Sequence, residues 1–248
     1  MDILTLENVS KSFGGIRALD TVSFSVTENQ ILGIIGLNGS GKTTAVNIIS
    51  GFTKPDAGRI TFKNREITGF PPHKIAGLGI ARTFQTARSF HNLPAFKNLI
   101  VPLYSPRIRK FTESGRWGDR DAVALDLLEE VGFERDSAVP YKPASALPHG
   151  YLRRLELARC LALRPDLLVA DELFSGLSTS EVGSMVPLME KLQQRGMTII
   201  MVEHRLRELF RLADKVVVMD RGRKIAEGAP GEIVENGTVK ETYLGAEL

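Results

Sequence analysis

The chain has 248 residues, 43% hydrophobic and 25% charged, which bounds it to a globular protein with one large domain or one domain and a subdomain. A net charge of +3 gives no argument for DNA, and the single cysteine, Cys160, excludes an intrachain disulfide and suits a reducing compartment. No apolar run approaches the ~18 residues of a spanning helix, and Met1-Asp2-Ile3-Leu4 opens no charged region leading into an apolar core, so neither a membrane span nor a signal peptide is expected.

Near the start, Ile3, Leu6 and Val9 keep an imperfect strand period, and Val22, Phe24 and Val26 alternate as a half-buried strand does. Lys11 to Gly15 between them reads as a turn with one aromatic, Phe13. Ile31 to Ile35 is a short apolar run suited to a buried strand, and Ala45 to Ser50 suits a helix with Gly51 as its stop. Between strand and helix stands Gly36-Leu37-Asn38-Gly39-Ser40-Gly41-Lys42-Thr43, which fits G-x-x-x-x-G-K-[ST]. Glycines at 36, 39 and 41 let the backbone curl so that successive N–H groups point into one concavity on a helix N-terminus, where anions are favoured. Lys42 adds a charge for the outer phosphates, and Thr43 offers a hydroxyl to magnesium. Thr53 to Gly58 is a turn, with a strand from Arg59 to Phe62, so the first ~65 residues form a strand-rich wing around the loop.

From Ala81-Arg82-Thr83-Phe84-Gln85 to Arg164 the pattern turns mostly helical. Asp121 to Val131 reads as an amphipathic helix stopped by Gly132, and Leu152 to Leu163 as another, with Cys160 as a buried thiol. Pro102 to Arg120 reads as loop. Its Arg107, Arg109, Lys110, Arg116 and Arg120 suit a solvated surface or, alternatively, an anionic membrane. After Pro165 strands and helices alternate again: Leu167 to Ala170, a helix over 180–195, Met197 to Val202, and Val216 to Met219. Such alternation implies a mainly parallel sheet, whose ligands sit at the carboxyl ends of the strands. The phosphate loop, Asp171-Glu172 and His204 all follow strands and are expected to converge on one edge.

The chemistry of the converging residues is phosphoryl transfer. Asp171 suits a carboxylate that orients magnesium, since that ion takes one or two carboxylates with phosphate oxygens and water. Glu172 can accept a proton from an attacking water. His204 can bond the γ-phosphate and hold water and Glu172 in line, and positioning with charge stabilisation is most of what the reaction needs.

These motifs together resemble the nucleotide-binding subunit of ATP-binding cassette (ABC) transporters along essentially the whole chain. Gly36–Thr43 matches Walker A, Leu167–Asp171 with Glu172 matches Walker B, and Gln85 matches the glutamine loop. Leu147-Pro148-His149-Gly150-Tyr151 stands where the signature loop belongs, Ser175-Gly176-Leu177-Ser178 matches the D-loop, and His204 the switch histidine. Gly79 to Gln85 and Met201-Val202-Glu203-His204 look more narrowly like branched-chain amino acid importers.

The resemblance implies a phosphate-loop NTPase core of class α/β with a mainly parallel sheet, an N-terminal antiparallel β wing and an inserted helical subdomain. Residues 1–84 and 165–248 would form core and wing, and 85–164 the helical part. It implies ATP bound by Phe13, Gly36, Leu37, Asn38, Gly39, Ser40, Gly41, Lys42, Thr43 and Thr44, with Phe13 stacked on adenine. It implies Mg2+ held through Thr43, Gln85 and Asp171, and catalysis by Glu172, His204 and Gln85. The implied partners are a second cassette subunit, transmembrane permease subunits docking on the helical part, and indirectly an external solute-binding protein, with no nucleic acid. The implied location is the cytoplasmic face of the cell membrane. Phe90 and Leu93 are the expected apolar docking contacts. Several residues depart from the family pattern: Pro148 and Tyr151 in the signature, Leu173 after Glu172, and Ser178 ending the D-loop. They are expected to affect the site completed on a partner's nucleotide, with Tyr151 weakening it, and to spare this chain's own loop. The ATPase of another ABC transporter, exporting lipid or lipopolysaccharide, and a soluble cassette ATPase not coupled to transport stay open as alternatives.

Overall fold

A computed structural model describes residues 1–84, 89–108 and 119–242. Its centre is a six-stranded sheet: β3 (Ile31–Ile35), β6 (Ile80–Arg82), β7 (Leu167–Asp171), β8 (Thr198–Val202), β9 (Lys215–Asp220) and β10 (Arg223–Gly228). The strand order is β10-β9-β3-β8-β7-β6, with every neighbouring pair parallel except β10 against β9. β3, β7 and β8 are buried along their whole length, which explains their unbroken apolar sequences.

The strand period of two divides those side chains between two cores. Ile31, Ile35, Leu168, Ala170, Ile199, Met201, Val216 and Val218 face a core made with the helices. Leu32, Ile34, Leu167, Val169, Ile200, Val202, Val217 and Met219 face the other, shared with the wing and the helix after the phosphate loop. The wing is an antiparallel sheet, β2-β1-β4-β5, formed by β1 (Asp2–Phe13), β2 (Ile16–Thr27), β4 (Ala57–Phe62) and β5 (Arg65–Glu66). β1 runs on through Phe13, so the turn expected over Lys11 to Gly15 shrinks to Gly14 and Gly15. The pairing of Phe13 with Ile16 closes that hairpin and accounts for the longer strand.

The helices are α1 (Lys42–Ile49), α2 (Pro72–Leu78), α3 (Ile100–Leu103), α4 (Arg120–Glu130), α5 (His149–Leu161), α6 (Thr179–Gln194), α7 (Leu206–Leu212), α8 (Pro230–Glu235) and α9 (Gly237–Thr242). Residues 100–103 are helical and Arg120 opens α4, so the stretch from Pro102 is not all loop. Asp119 caps α4 by accepting the N–H groups of Asp121 and Ala122. Arg109, Lys110 and Arg116 lie outside the described residues. Arg107 is committed to Asp166 at 2.9 Å and to the carbonyls of Leu163 and Arg164, so it serves the fold. Cys160 is buried, as its apolar setting implied, and burial pushes its thiol pKa far above the ordinary value. Among the described residues, no helix is long and apolar enough to cross a membrane.

Ser178 is the N-cap of α6. Its hydroxyl accepts the Glu181 N–H at 3.3 Å, and the Glu181 carboxylate accepts the Ser178 N–H at 2.8 Å, a reciprocal capping box. Ser178→Ala should lower unfolding stability by about 1 kcal/mol, read as a lower urea midpoint at constant slope. An unchanged midpoint would mean that Glu181 caps the helix alone.

Candidate phosphate-binding and hydrolytic site

The loop from Gly36 to Gly41 joins β3 to α1 as its spacing requires. Gly36 has φ 151°, and a Cβ there would run into the Met219 carbonyl and the Ser40 hydroxyl. Gly41 has φ 104°, and a Cβ would lie 2.6 Å from the Ala18 carbonyl. The turn of β9 into β10 braces the loop, with the Gly222 N–H donating to Ser40 O at 3.0 Å. The Lys42 ammonium is buried and donates to the carbonyls of Gly36 at 2.6 Å and Leu37 at 3.0 Å. Burial lowers its pKa, while the nearby Glu172 and Asp171 carboxylates oppose that shift. The Ser40 hydroxyl is buried without a hydrogen-bond partner among the described residues. An ammonium held only by carbonyls, an orphaned hydroxyl and a helix N-terminus make a donor set that fits phosphate oxygens.

The loop forms one wall of a cavity of about 480 Å³. Asn38, Gly39, Ser40, Gly41, Lys42, Thr43 and Thr44 line it, with Glu172 and His204. Gly36 and Leu37 are not on its wall and act through their carbonyls on Lys42. Phe13 is not on the wall either; it is half exposed at the end of β1, with the Lys11 ammonium 5.3 Å from its ring centroid. The side chains at that end are Ile16, Arg17 and Ala18 of β2, with Arg221 from the β9–β10 turn. Sequence reading missed all four, although the hairpin that pairs Phe13 with Ile16 signals one of them. A larger groove of about 840 Å³, lined by Leu127, Leu161, Leu192 and Met197 among others, holds none of the expected site residues.

Glu172 follows β7 in the left-handed region, φ 49°, and its N–H donates to Val202 O at 2.8 Å. A non-glycine residue pays conformational strain there, as residues at active sites often do. The strain delivers its carboxylate to the cavity, where Oε1 lies 3.2 Å from His204 Nε2. His204 is about half exposed, its side chain at 49%. Asp171 is buried beneath this pair, and its Oδ2 accepts from Arg82 at 2.8 Å. Gln85 lies outside the described residues.

Glu203, between β8 and His204, is buried, and Oε1 accepts the Phe174 N–H at 2.9 Å. Burial pushes its pKa up to about 8, the Glu172 carboxylate adds to the rise, and the backbone N–H groups of Phe174 and Leu173 and the Arg153 guanidinium oppose it. Nothing in the sequence separates this glutamate from a solvated one.

The signature-like residues open α5, with Pro148 at its N-cap. Tyr151 turns inward, its ring packed edge to face on Phe133 with centroids 4.9 Å apart. The expected weakening of a partner's site through this side chain therefore has no support in its position. Gly150 lets α5 approach the Glu181 carboxylate, where a Cβ would collide, and His149 packs against Gly176. Leu173 is fully buried in the helix-side core, and Ser178 is the cap described above. Leu173 and Tyr151 thus pack within the chain and Ser178 caps a helix, while Pro148 is exposed.

A parallel sheet with a phosphate loop at one strand end, and with acidic and histidine side chains at its neighbours, defines a phosphate-loop nucleotide-binding protein. The family model for the ABC transporter matches residues 19–175, and the chain belongs to that family. It is 36% identical to the high-affinity branched-chain amino acid transport ATP-binding protein BraF of Pseudomonas aeruginosa, over 98% of each chain. It is also 36% identical to the probable branched-chain amino acid transport ATP-binding protein LivG of Archaeoglobus fulgidus, over 100% of this chain and 97% of that one. Among solved structures, a nucleotide-free ATP-binding cassette from an ABC transporter superposes with a TM-score of 0.85 at 32% identity, covering 98% of this chain and 99% of that one. A dimeric bacterial ABC transporter cassette gives 0.80 at 26% identity, covering 92% and 98%. The chain is an ATP-binding cassette ATPase subunit, with the α/β phosphate-loop fold that its motifs implied.

The raised pKa of Glu203 has a sign that can be measured. Between its ordinary 4.5 and about 8 the folded protein keeps a proton that the unfolded chain has lost. Stability therefore falls as pH rises through that window, by up to about 1.4 kcal/mol per pH unit. Glu203→Gln should flatten this fall in urea unfolding measured from pH 5 to 8. Equal pH slopes in the variant and the wild type would refute the assignment.

Proposed function

We propose that this chain is the hydrolytic subunit of an ABC importer for branched-chain or related amino acids, binding MgATP between two cassette subunits. The observation that carries the ATPase site is the Glu172–His204 contact at 3.2 Å inside the cavity lined by Lys42 and the phosphate loop. The substrate class follows the names of BraF and LivG, which match along the full length of the chain.

In this reading Lys42 exchanges its two loop carbonyls for the outer phosphates of ATP, and the N–H groups of 38–44 cradle them. Thr43, Gln85 and Asp171 would hold magnesium, which would supply positive charge to neutralise the phosphates. Glu172 takes the proton from the attacking water, and His204 fixes the water and γ-phosphate in line. Gln85 contributes from the start of the helical segment. Phe13 contacts adenine from the wing, with Ile16 beside it on the cavity wall. Residues 1–84 and 165–248 serve as core and wing, and 85–164 as the helical part.

A second cassette completes each site. The reading is supported by the dimeric form of the bacterial ABC transporter cassette that superposes on this chain. The permease docks on the helical part, where Phe90, Leu93, Val101 and Tyr104 are exposed apolar side chains. A cleft of about 300 Å³ lined by Phe84, Val101, Pro102 and Leu163 lies on that side. An exposed apolar cluster of this kind is a mark of an interaction surface. The subunit then sits at the cytoplasmic face of the membrane, served indirectly by an external solute-binding protein.

Glu172→Gln should bind ATP as the wild type does and lose turnover by roughly 10²–10⁴-fold. Wild-type hydrolysis in that variant would reject the base. Phe90→Asp should release the subunit from membranes carrying its permease while intrinsic ATPase stays intact; normal membrane association would count against the docking surface. Cells lacking the subunit should lose uptake of labelled branched-chain amino acids, and unaltered uptake would overturn the substrate class.

A further inference from the structure

Arg82, at the end of β6, is one of the few charged side chains that the fold buries, with 7% of its surface exposed. Both terminal nitrogens of its guanidinium are engaged, while Nε is buried with no hydrogen-bond partner among the described residues. Nη2 donates to Asp171 Oδ2 at 2.8 Å. Nη1 donates to Asn47 Oδ1 and Ser50 Oγ, both at 2.8 Å, at the last turn of α1. Its plane lies near the rings of Phe52 and Phe84, with centroids 5.6 and 5.1 Å away, and those rings meet edge to face at 5.5 Å. The next residue, Thr83, accepts the Asp171 N–H on its hydroxyl at 3.0 Å. β6 therefore fixes both the backbone and the carboxylate of Asp171. Only Oδ2 is taken; Oδ1 accepts no hydrogen bond among the described residues.

We infer that Arg82 is a positioning residue of the magnesium site. It sets the Asp171 rotamer so that Oδ1 is the oxygen offered to the metal shell, and it ties that orientation to α1 and to Phe84, which precedes Gln85. The inference rests on the MgATP reading above. A buried carboxylate needs a counter-ion, but a lysine would supply that charge at a single point. The planar fork makes three directed bonds on two elements while slotted beside two rings, so it specifies direction as well as charge. An outer partner of this kind orients a ligand without touching the metal.

The experiment is calorimetric titration of ADP, with and without Mg2+, into the wild type, R82M, R82K and N47A, with circular dichroism confirming the fold. The quantity read is the gain in ADP affinity that Mg2+ brings. R82M should lose roughly 10–100-fold of that gain, with metal-free ADP affinity unchanged. R82K should fail in the same way, because it keeps the charge and loses the fork. N47A removes one anchor, leaves the Arg82–Asp171 pair in place, and should lose a smaller part. Replacing Mg2+ with Mn2+ should broaden the spin-resonance signal of bound Mn-ADP in R82M and R82K. An unchanged gain in R82M, or full recovery in R82K, overturns the inference and leaves Arg82 a brace or a bare charge. Should R82M not fold, N47A decides, and an unchanged gain there overturns the inference. A wild type with no Mg2+ gain at all would instead remove the magnesium reading itself.

Discussion

The site depends on the parallel register of three adjacent strands. Val202 pairs with Ile34 on one side and with Asp171 on the other, so β3, β8 and β7 end at one level. The phosphate loop, Glu203-His204 and Asp171-Glu172 leave the sheet side by side because of that pairing. Full burial of all three strands makes slippage expensive, since a shift of one residue would exchange the two core faces of the sheet. The same hydrophobic pattern that stabilises the sheet therefore sets the distance between Lys42 and the Glu172–His204 pair.

Burial also governs the charges beneath the cavity. Asp171 is matched by Arg82, Arg153 lies 3.7 Å from Glu156, and Glu203 meets backbone N–H groups. Each group would be costly alone in the interior, and each is paired or hydrogen-bonded instead. Glu203 is the exception in kind, because its carboxyl gains backbone donors and little opposing charge, and burial dominates. Above this layer His204 is exposed, while the Glu172 carboxylate beside it is mostly buried and borders the cavity.

How much of this was legible follows from sequence separation. The phosphate loop is local: its glycines, lysine and threonine stand in one stretch, and the buried strand before it is a plain apolar run. Asp171, Glu172 and His204 were legible because each follows such a run at a strand end. Arg82 was not, since its partner lies 89 positions away and an arginine in a short strand carries no mark of burial. The inward turn of Tyr151 was hidden for the same reason, because Phe133 is a neighbour only in space. Ser178 is the instructive case. The Ser-x-x-Glu spacing of a capping box is present in the sequence, and it, not the family's acidic or amide D-loop end, accounts for the residue. The β1–β2 hairpin is tighter at its tip than its sequence suggests, because the pairing of Phe13 with Ile16 leaves only Gly14 and Gly15 in the turn.

Phe84 joins the helical side of the molecule to the nucleotide side. The Glu156 carboxylate accepts the Phe84 N–H at 2.6 Å, and Arg153 donates to the Phe84 carbonyl at 2.9 Å. Both come from α5, the helix that begins with the signature-like residues, and Arg153 also donates to the Ser175 carbonyl at 3.2 Å. The Phe84 ring in turn lies over the Arg82 guanidinium that holds Asp171. These bonds are partly buried, where a lost partner leaves a poorly satisfied group. A displacement of α5 against the sheet must then either carry Phe84 and Ser175 with it or break charge-assisted bonds. A chain of contacts thus runs from α5 through Phe84 and Arg82 to Asp171.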